Sequence, residues 1–328
     1  TYLGGYYNLL LIPFLCGGSV VITSHFNSKI LLEFWDKVHH YEINTLWFVP
    51  TILNGLLKLD KSSDSSINKI DKAFIGMDIV PIDLKEKFGK QFSIKLLENY
   101  GLTETLFIST ESDSDTSKTA GKLLNGVKIK ILEKNNINED NNGEILVQSP
   151  YLMENSNKTH FIDFENEGWF PTGDLGNIDQ NEYLTITGRK KDLIIKGGVN
   201  ISPSAIEQII YSLDAINECA IIGLPHSTKG EIIILIYNLV NKISQKQFEK
   251  IIIDYCSTRL SSFQQPDYFF EVSSFPKTNS GKIRKIDLKN WIHQKFNNDK
   301  DIRKFNYIDF EVEKGLRRKD YFKPSKVV

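Results

Sequence analysis

The stretch "GRKKDLIIKGGVNISPSAIE", residues 188–207, gathers an arginine, paired lysines, paired glycines and a proline-started helix. Arg189 carries a planar fork of donors suited to sugar or phosphate oxygens. Gly197 and Gly198 let a backbone approach a ligand closely. Ser202 stands as the cap of the helix "SPSAIEQIIYSL", with Pro203 at its first turn. A basic β-hairpin with a glycine turn is the structural alternative, and it leaves the coincidence of so many special residues unexplained. Lys190 and Lys191 fall where the texture of the chain changes, so they mark a candidate hinge.

Working outward, the two sides of that hinge read differently. Before it, from about residue 120, strands dominate: "VKIKIL" alternates, "GEILVQS" follows, and "EKNNINEDNNG" between them is a polar turn. After it, a small section reads β-α-β-β-α-β, with "SQKQFEKIIIDYCSTRL" as its second helix. From roughly Trp291 onward the chain reads as a surface helix and charged tail. The first hundred residues alternate apolar runs with helical patterns: "NTLWFVP", "KAFIG" and "SIKLLENYG" as strands, "SKILLEFWDKVHHY", "PTILNGLLKL" and "PIDLKEKFGK" as helices. That rhythm predicts a largely parallel sheet with ligands beyond the C-terminal strand ends.

Composition narrows the chemistry. The 328 residues carry 40 Lys plus Arg against 41 Asp plus Glu, so no global field draws nucleic acid or an anionic membrane. Three cysteines, widely spaced and odd in number, form neither a disulfide framework nor a zinc site, which fits a reducing cytoplasm. The six histidines have no metal-binding spacing, and His39 and His40 read as surface or half-buried residues. Thr1 to Ser28 contains no Asp, Glu, Lys or Arg, yet Gly4, Gly5, Asn8, Pro13, Gly17 and Gly18 interrupt it. We therefore expect a buried helix followed by a core strand "SVVIT", and no transmembrane segment.

Three further stretches are candidates for chemistry. In "ENYGLTET" a strand delivers Tyr100, Gly101 turns the chain, and Thr103 and Glu104 follow. A hydroxyl there suits a phosphate and a carboxylate suits Mg²⁺, which prefers oxygen ligands. A glycine turn with a capping threonine and a solvated glutamate is the simpler account of that stretch alone. In "GWFPTGDLG", Asp174 would accept two hydrogen bonds from a ribose diol, or else form an Asx-turn between strands. In "FPKTNSGKIRK", Lys282 follows a glycine, but Pro276 and Ile283 exclude a Walker phosphate loop.

Taken in order and approximate spacing, the four stretches resemble motifs of the acyl-adenylate-forming enzymes, the superfamily of acyl-CoA synthetases and peptide-synthetase adenylation domains. The resemblance runs from the first residues to about residue 290, and "GGVNISPSAIE" looks more like the acyl-CoA ligases. It implies α/β and α+β architecture in three parts. Residues 1–118 would be the second part of a large AMP-binding domain with a mostly parallel sheet. Residues 119–188 would be its β-rich subdomain. Residues 189–300 would be a small mobile α+β domain after a hinge near 189–191, and 301–328 a charged tail.

The resemblance also implies a reaction. A carboxylic acid attacks the α-phosphate of ATP, and coenzyme A then displaces AMP to give a thioester. Thr103 would contact the α-phosphate and Glu104 would hold Mg²⁺. Tyr100 and Gly101 would lie near the adenine, and Asp174 and Arg189 would bind the ribose. Lys282 would stabilise charge between carboxylate and phosphate. Lys191 would be the hinge, and Gly197 and Gly198 would line the pantetheine path. An acyl carrier protein in place of coenzyme A, and a non-catalytic scaffold that kept the fold, are the alternatives.

Departures from the family pattern set further expectations. The sequence has no "SGTTGxPKG"-like phosphate loop, so we expect a truncated form with weak or no adenylation alone. The family's "PxxH" segment would end around Leu3, without its histidine, and "GMDIVP" (76–81) replaces a "GAAPLP"-like sequence. "SPYLMENSNKT" is shorter than usual. Apolar residues around Tyr6 to Phe14 and Met77 to Val80 suit an apolar acyl or aryl acid, and core packing accounts for them equally well.

Overall fold

The short apolar runs pair as strands because each leaves its backbone N–H and C=O groups to a neighbour of matching register. In the computed structural model β1 (Thr45–Phe48), β2 (Lys72–Ile75) and β3 (Leu96–Leu102) pair in parallel. The structure describes residues 3–23, 27–59, 69–76, 80–113, 119–132, 142–153, 168–241, 243–278, 281–298 and 305–308. Two antiparallel strands, β4 (Leu106–Thr110) and β5 (Lys122–Leu123), complete the sheet in the order β1-β2-β3-β4-β5.

Helices preceding and linking the parallel strands build its core. Asn27 caps α3 (Ser28–Leu32) by accepting from the Ile30 amide at 3.0 Å, and α4 (Phe34–His40) follows. Pro50 opens α5 (Pro50–Leu57), where its missing N–H costs nothing. In α6 (Ile82–Phe92) the spacing of Leu84, Phe88 and Phe92 puts all three on one face. They pack against Trp35, Phe48, Leu53 and Leu56, with the Trp35 and Phe92 rings 5.1 Å apart. Each such side chain contributes about 1.5–3 kcal/mol on burial. Trp35 is wholly buried, and Tyr41, just past the end of α4, is exposed.

The first residues correct an expectation. Short helical segments α1 (Leu3–Tyr6), a π-turn at Tyr7–Leu11 and α2 (Ile12–Leu15) do form, yet the chain from Gly5 to Leu15 has no buried residue. Phe14 is 74% exposed and Ile22 82%. Residues 19–23, "SVVIT", form no strand. β-Branched residues supply propensity, but a strand also needs an edge to pair with, and no described strand pairs with this run. Among the described residues no helix is long and apolar enough to cross a membrane.

A second sheet, antiparallel throughout, runs β6 (Lys128–Leu132), β7 (Gly143–Gln148), β8 (Phe170–Ile178) and β9 (Leu184–Arg189). Ile108 of β4 shares a core with Val127, Ile145, Val147 and Leu184, which seats this sheet on the first. Residues 133–141 of the expected polar turn lie outside the described residues, as do most residues of "SPYLMENSNKT".

One 3-10 turn, Lys190–Asp192, leads from β9 into the small section. Hairpin β10 (Ile194–Lys196) and β11 (Val199–Ile201) is followed by α7 (Pro203–Tyr211), β12 (Ile216–His226), β13 (Gly230–Leu239), α8 (Gln245–Arg259), β14 (Tyr268–Val272), α9 (Lys285–Asn298) and β15 (Phe305–Ile308). β13 is apolar nearly throughout because both its faces are covered. Ile233, Leu235 and Tyr237 pack under α7 and α8, while Ile232, Ile234 and Ile236 pack on Leu288 and Ile292 of α9. The surface helix expected from Trp291 onward is therefore a core-packing helix that starts earlier, and residues 305–308 of the expected tail pair in parallel with β14. Ser202 precedes α7, but its hydroxyl does not cap that helix. It donates to the Thr187 carbonyl at 2.7 Å instead, as does Ser204 at 2.8 Å.

Candidate active site

At the C-terminal end of the parallel strands, β3 carries Asn99, Tyr100 and Gly101 into the tight turn Thr103–Thr105. Gly101 is obligatory there, since a Cβ would lie 2.1 Å from the Leu106 carbonyl oxygen. Leu106 leaves the turn at φ 56°, a left-handed conformation that a leucine adopts only under constraint. Thr105 supplies the constraint: its fully buried hydroxyl accepts from the Leu102 amide at 3.1 Å and donates to the Leu106 carbonyl at 3.0 Å. Sequence reasoning passed over Thr105; its signal was a hydroxyl three residues after the strand's last leucine. The turn presents Thr103 exposed and Glu104 half-buried. The Met153 amide donates to the Glu104 carbonyl at 2.8 Å and ties the turn to the second sheet.

Asp174 lies within β8 and directly opposite Arg189 of β9, so the Asx-turn alternative is overturned. Only 3% of it is exposed. Arg189 donates through Nε to Asp174 Oδ1 at 2.8 Å, and the Tyr100 hydroxyl donates to Oδ2 at 2.8 Å. Burial, reinforced by the Asp174 charge, pushes the Tyr100 phenol far above its ordinary value, so it stays a donor. The structure thus brings Tyr100, Asp174 and Arg189 from three strands into one hydrogen-bonded chain. Each Asp174 oxygen keeps a further acceptor position.

Beside them Asn99 is buried, and its Nδ2 has no hydrogen-bond partner among the described residues. A buried amide donor left unpaired is costly, and a ligand that accepts from it removes that cost. Gly76, at the end of β2, makes room for the same side chain: a Cβ there would meet Asn99 Oδ1 at 2.6 Å. An orphan donor, an aromatic ring and a buried carboxylate paired with an exposed guanidinium fit a nucleoside monophosphate. The described residues contain no group of three His, Cys, Asp or Glu able to hold a metal. A magnesium ion here fits Glu104 as a lone protein carboxylate, since Mg²⁺ commonly takes one or two carboxylates plus substrate phosphates.

The remaining candidates sit on the small section. Gly197 and Gly198 form the exposed tip of hairpin β10–β11 at φ 58° and 83°, and nothing lies within 4 Å of where a Gly198 Cβ would stand. Lys191 is exposed in the 3-10 turn, while its neighbour Lys190 pairs with Glu144 of β7 at 2.5 Å. Lys282 lies in a hairpin of its own between β14 and α9. There the Thr278 amide donates to the Lys282 carbonyl at 2.8 Å and the Lys282 amide to Thr278 Oγ1 at 3.1 Å. Of the apolar residues tied to an acid pocket, Tyr6 and Phe14 are exposed, Val80 is buried, and 77–79 lie outside the described residues.

Comparison with known proteins gives a consistent answer. The family model for AMP-binding enzymes matches residues 4–155, and that for the AMP-binding enzyme C-terminal domain matches residues 205–282. The 2-succinylbenzoate–CoA ligase of Lactococcus lactis is 30% identical over 275 residues, covering 83% of this chain and 56% of that protein. The o-succinylbenzoate CoA synthetase of Bacillus subtilis, solved with its acyl-adenylate intermediate, superposes with a TM-score of 0.69 at 28% identity, covering 90% of this chain and 58% of the other. ATP-bound MatB from Rhodopseudomonas palustris shares the fold, with a TM-score of 0.79 at 24% identity over 90% of this chain and 59% of its own. The chain spans about half the length of the curated relatives it matches, 51–56% among the first three. With both family models matched in order on one chain, this protein belongs to the acyl-adenylate-forming superfamily of AMP-binding enzymes.

Proposed function

We propose that this chain is the nucleotide-clamping and lysine-bearing part of an AMP-forming acid–thiol ligase. The observation that carries the reading is the hydrogen-bonded chain Tyr100–Asp174–Arg189, centred on the buried Asp174, beside the orphan amide of Asn99. Tyr100 and Gly101 offer a flat face and an open backbone to the adenine. Asp174, paired with Arg189, accepts from the ribose hydroxyls, and Arg189 has further N–H groups for the same sugar.

In the first half-reaction the acid's carboxylate oxygen forms a bond to the α-phosphorus of ATP, and the bond to the β-phosphate bridge breaks, releasing pyrophosphate. Thr103 donates to the α-phosphate. Glu104 would hold Mg²⁺, which when bound would supply charge neutralisation at the phosphates. Lys282 places its ammonium where charge develops between carboxylate and phosphate, an effect worth about 10²–10³ in rate. In the second, a thiolate attacks the acyl carbon, the C–S bond forms, and AMP leaves with its oxygen. The exposed Gly197–Gly198 tip suits a role in that step, after the small section turns about Lys191 and presents it to the pantetheine arm.

Relatives named for 2-succinylbenzoate favour an aryl or apolar acid as substrate. Coenzyme A is the acceptor in this reading, and an acyl carrier protein is the variant. Cysteines that pair in no disulfide among the described residues suit a reducing, cytoplasmic setting. The test is a calorimetric titration of the chain with AMP. Binding that Asp174→Ala removes supports the clamp, and binding that survives the substitution overturns it.

A further inference from the structure

The Lys282 hairpin carries two ion pairs that the reaction does not use. Lys277, at its start, reaches Glu218 of β12 with Nζ 2.5 Å from Oε1. Lys285, at its end, reaches Glu207 of α7 with Nζ 2.6 Å from Oε1. Both glutamates are only 14% exposed, and both lysines less than a third, so solvent screens these pairs less than surface ones.

The glutamates are themselves fixed. β12 is the edge partner of β13, and its outward N–H groups need acceptors. Glu207 Oε1 accepts from the Ile221 backbone amide at 2.6 Å, and the Asn238 side-chain Nδ2 donates to Glu218 Oε2 at 3.5 Å. Within the hairpin the Gly281 amide donates to the Thr278 carbonyl and the Arg284 amide to the Pro276 carbonyl, which sets the hairpin's shape. Phe275 and Leu288 bury the two flanks in one apolar cluster, and apolar contacts are non-directional.

We infer that Glu207 and Glu218 are positioning residues that clamp the Lys282 hairpin at both ends onto the edge strand of the small section. This rests on Lys282 being the lysine of the adenylation step. The consequence is pre-organisation: a lysine on a four-carbon stem delivers its charge only if its backbone is held.

The test is hydrogen exchange on this chain, read peptide by peptide. In the Glu207→Gln, Glu218→Gln double variant, exchange across 276–285 should rise about tenfold while 232–237 in β13 stays protected. The charge swap Glu218→Lys with Lys277→Glu should restore most of the protection that Glu218→Gln loses. Unchanged exchange in the double variant, parallel loss in β13, or no recovery in the swap would each overturn the clamp. The measurement involves no reaction. A Lys282 that proves idle in catalysis would therefore refute the lysine's role and leave the clamp standing.

Discussion

Tyr100 of β3 donates its hydroxyl to Asp174 of β8 across 2.8 Å, and this bond joins the parallel sheet to the antiparallel one at the candidate site. Asp174 is buried, so its second partner cannot be replaced by bulk water without opening the site. Tyr100→Phe keeps the ring and removes the donor. We expect stability to fall by about 1.5–3 kcal/mol, the range for hydrogen bonds to charged groups. AMP affinity should fall with it, because Asp174 then turns on Arg189 alone. Urea unfolding and AMP titration of the same variant check both.

Lys282→Ala separates the half-reactions. In a protein that carries out both steps, acyl-adenylate formation should fall by about 10²–10³ while thioester formation from supplied adenylate is spared. Equal loss in both steps would remove the lysine from its assigned role.

How far the sequence reached depends on what kind of physics was asked of it. The parallel strands were legible in "NTLWFVP", "KAFIG" and "SIKLLENYG", because apolar periodicity records burial directly. Pro50 and Pro203 marked helix starts for a local reason that tertiary structure does not override. "SVVIT" misled, since strand formation is a property of pairs and the sequence shows one partner at a time. At the site, motif order led to Tyr100, Asp174 and Arg189, but not to the chain of bonds among them. Thr105 and Asn99 were missed because burial of a small polar residue leaves no periodic trace. Ser202 looked like a helix cap, and only the neighbouring sheet shows that its hydroxyl is engaged by Thr187.

Two glycines make opposite predictions. Gly101→Ala places a Cβ 2.1 Å from a backbone oxygen that cannot move without breaking the β3–β4 turn, so the variant should be severely destabilised. Gly198→Ala meets nothing within 4 Å and pays only for its φ of 83°, about 1–2 kcal/mol. If the hairpin tip acts in the thioester step, Gly198→Ala should slow that step and leave nucleotide binding unchanged. Thermal unfolding and AMP titration, followed by thioester assay with supplied adenylate, distinguish the two sites.

Glu98, next to Asn99, gives a prediction with a sign. Lys85 of α6 lies between two carboxylates, 2.8 Å from Glu111 and 3.2 Å from Glu98. Glu111 also accepts the Glu98 backbone amide at 2.7 Å, so it is the better-held charge. Burial pushes the Glu98 carboxyl up to about 7, with Lys85 opposing and the Glu111 charge reinforcing. Its unfolded value is 4.5, so between 4.5 and about 7 the folded chain holds a proton that the unfolded chain has released. This group's contribution to stability therefore falls as pH rises through that window and is level above it. Glu98→Gln keeps the size and an acceptor for Lys85 but removes the titration. The variant should equal its parent near pH 4.5 and exceed it at pH 8, by a few degrees in Tm. A variant less stable than its parent at pH 8 would show that the Lys85 attraction outweighs the burial of the charge.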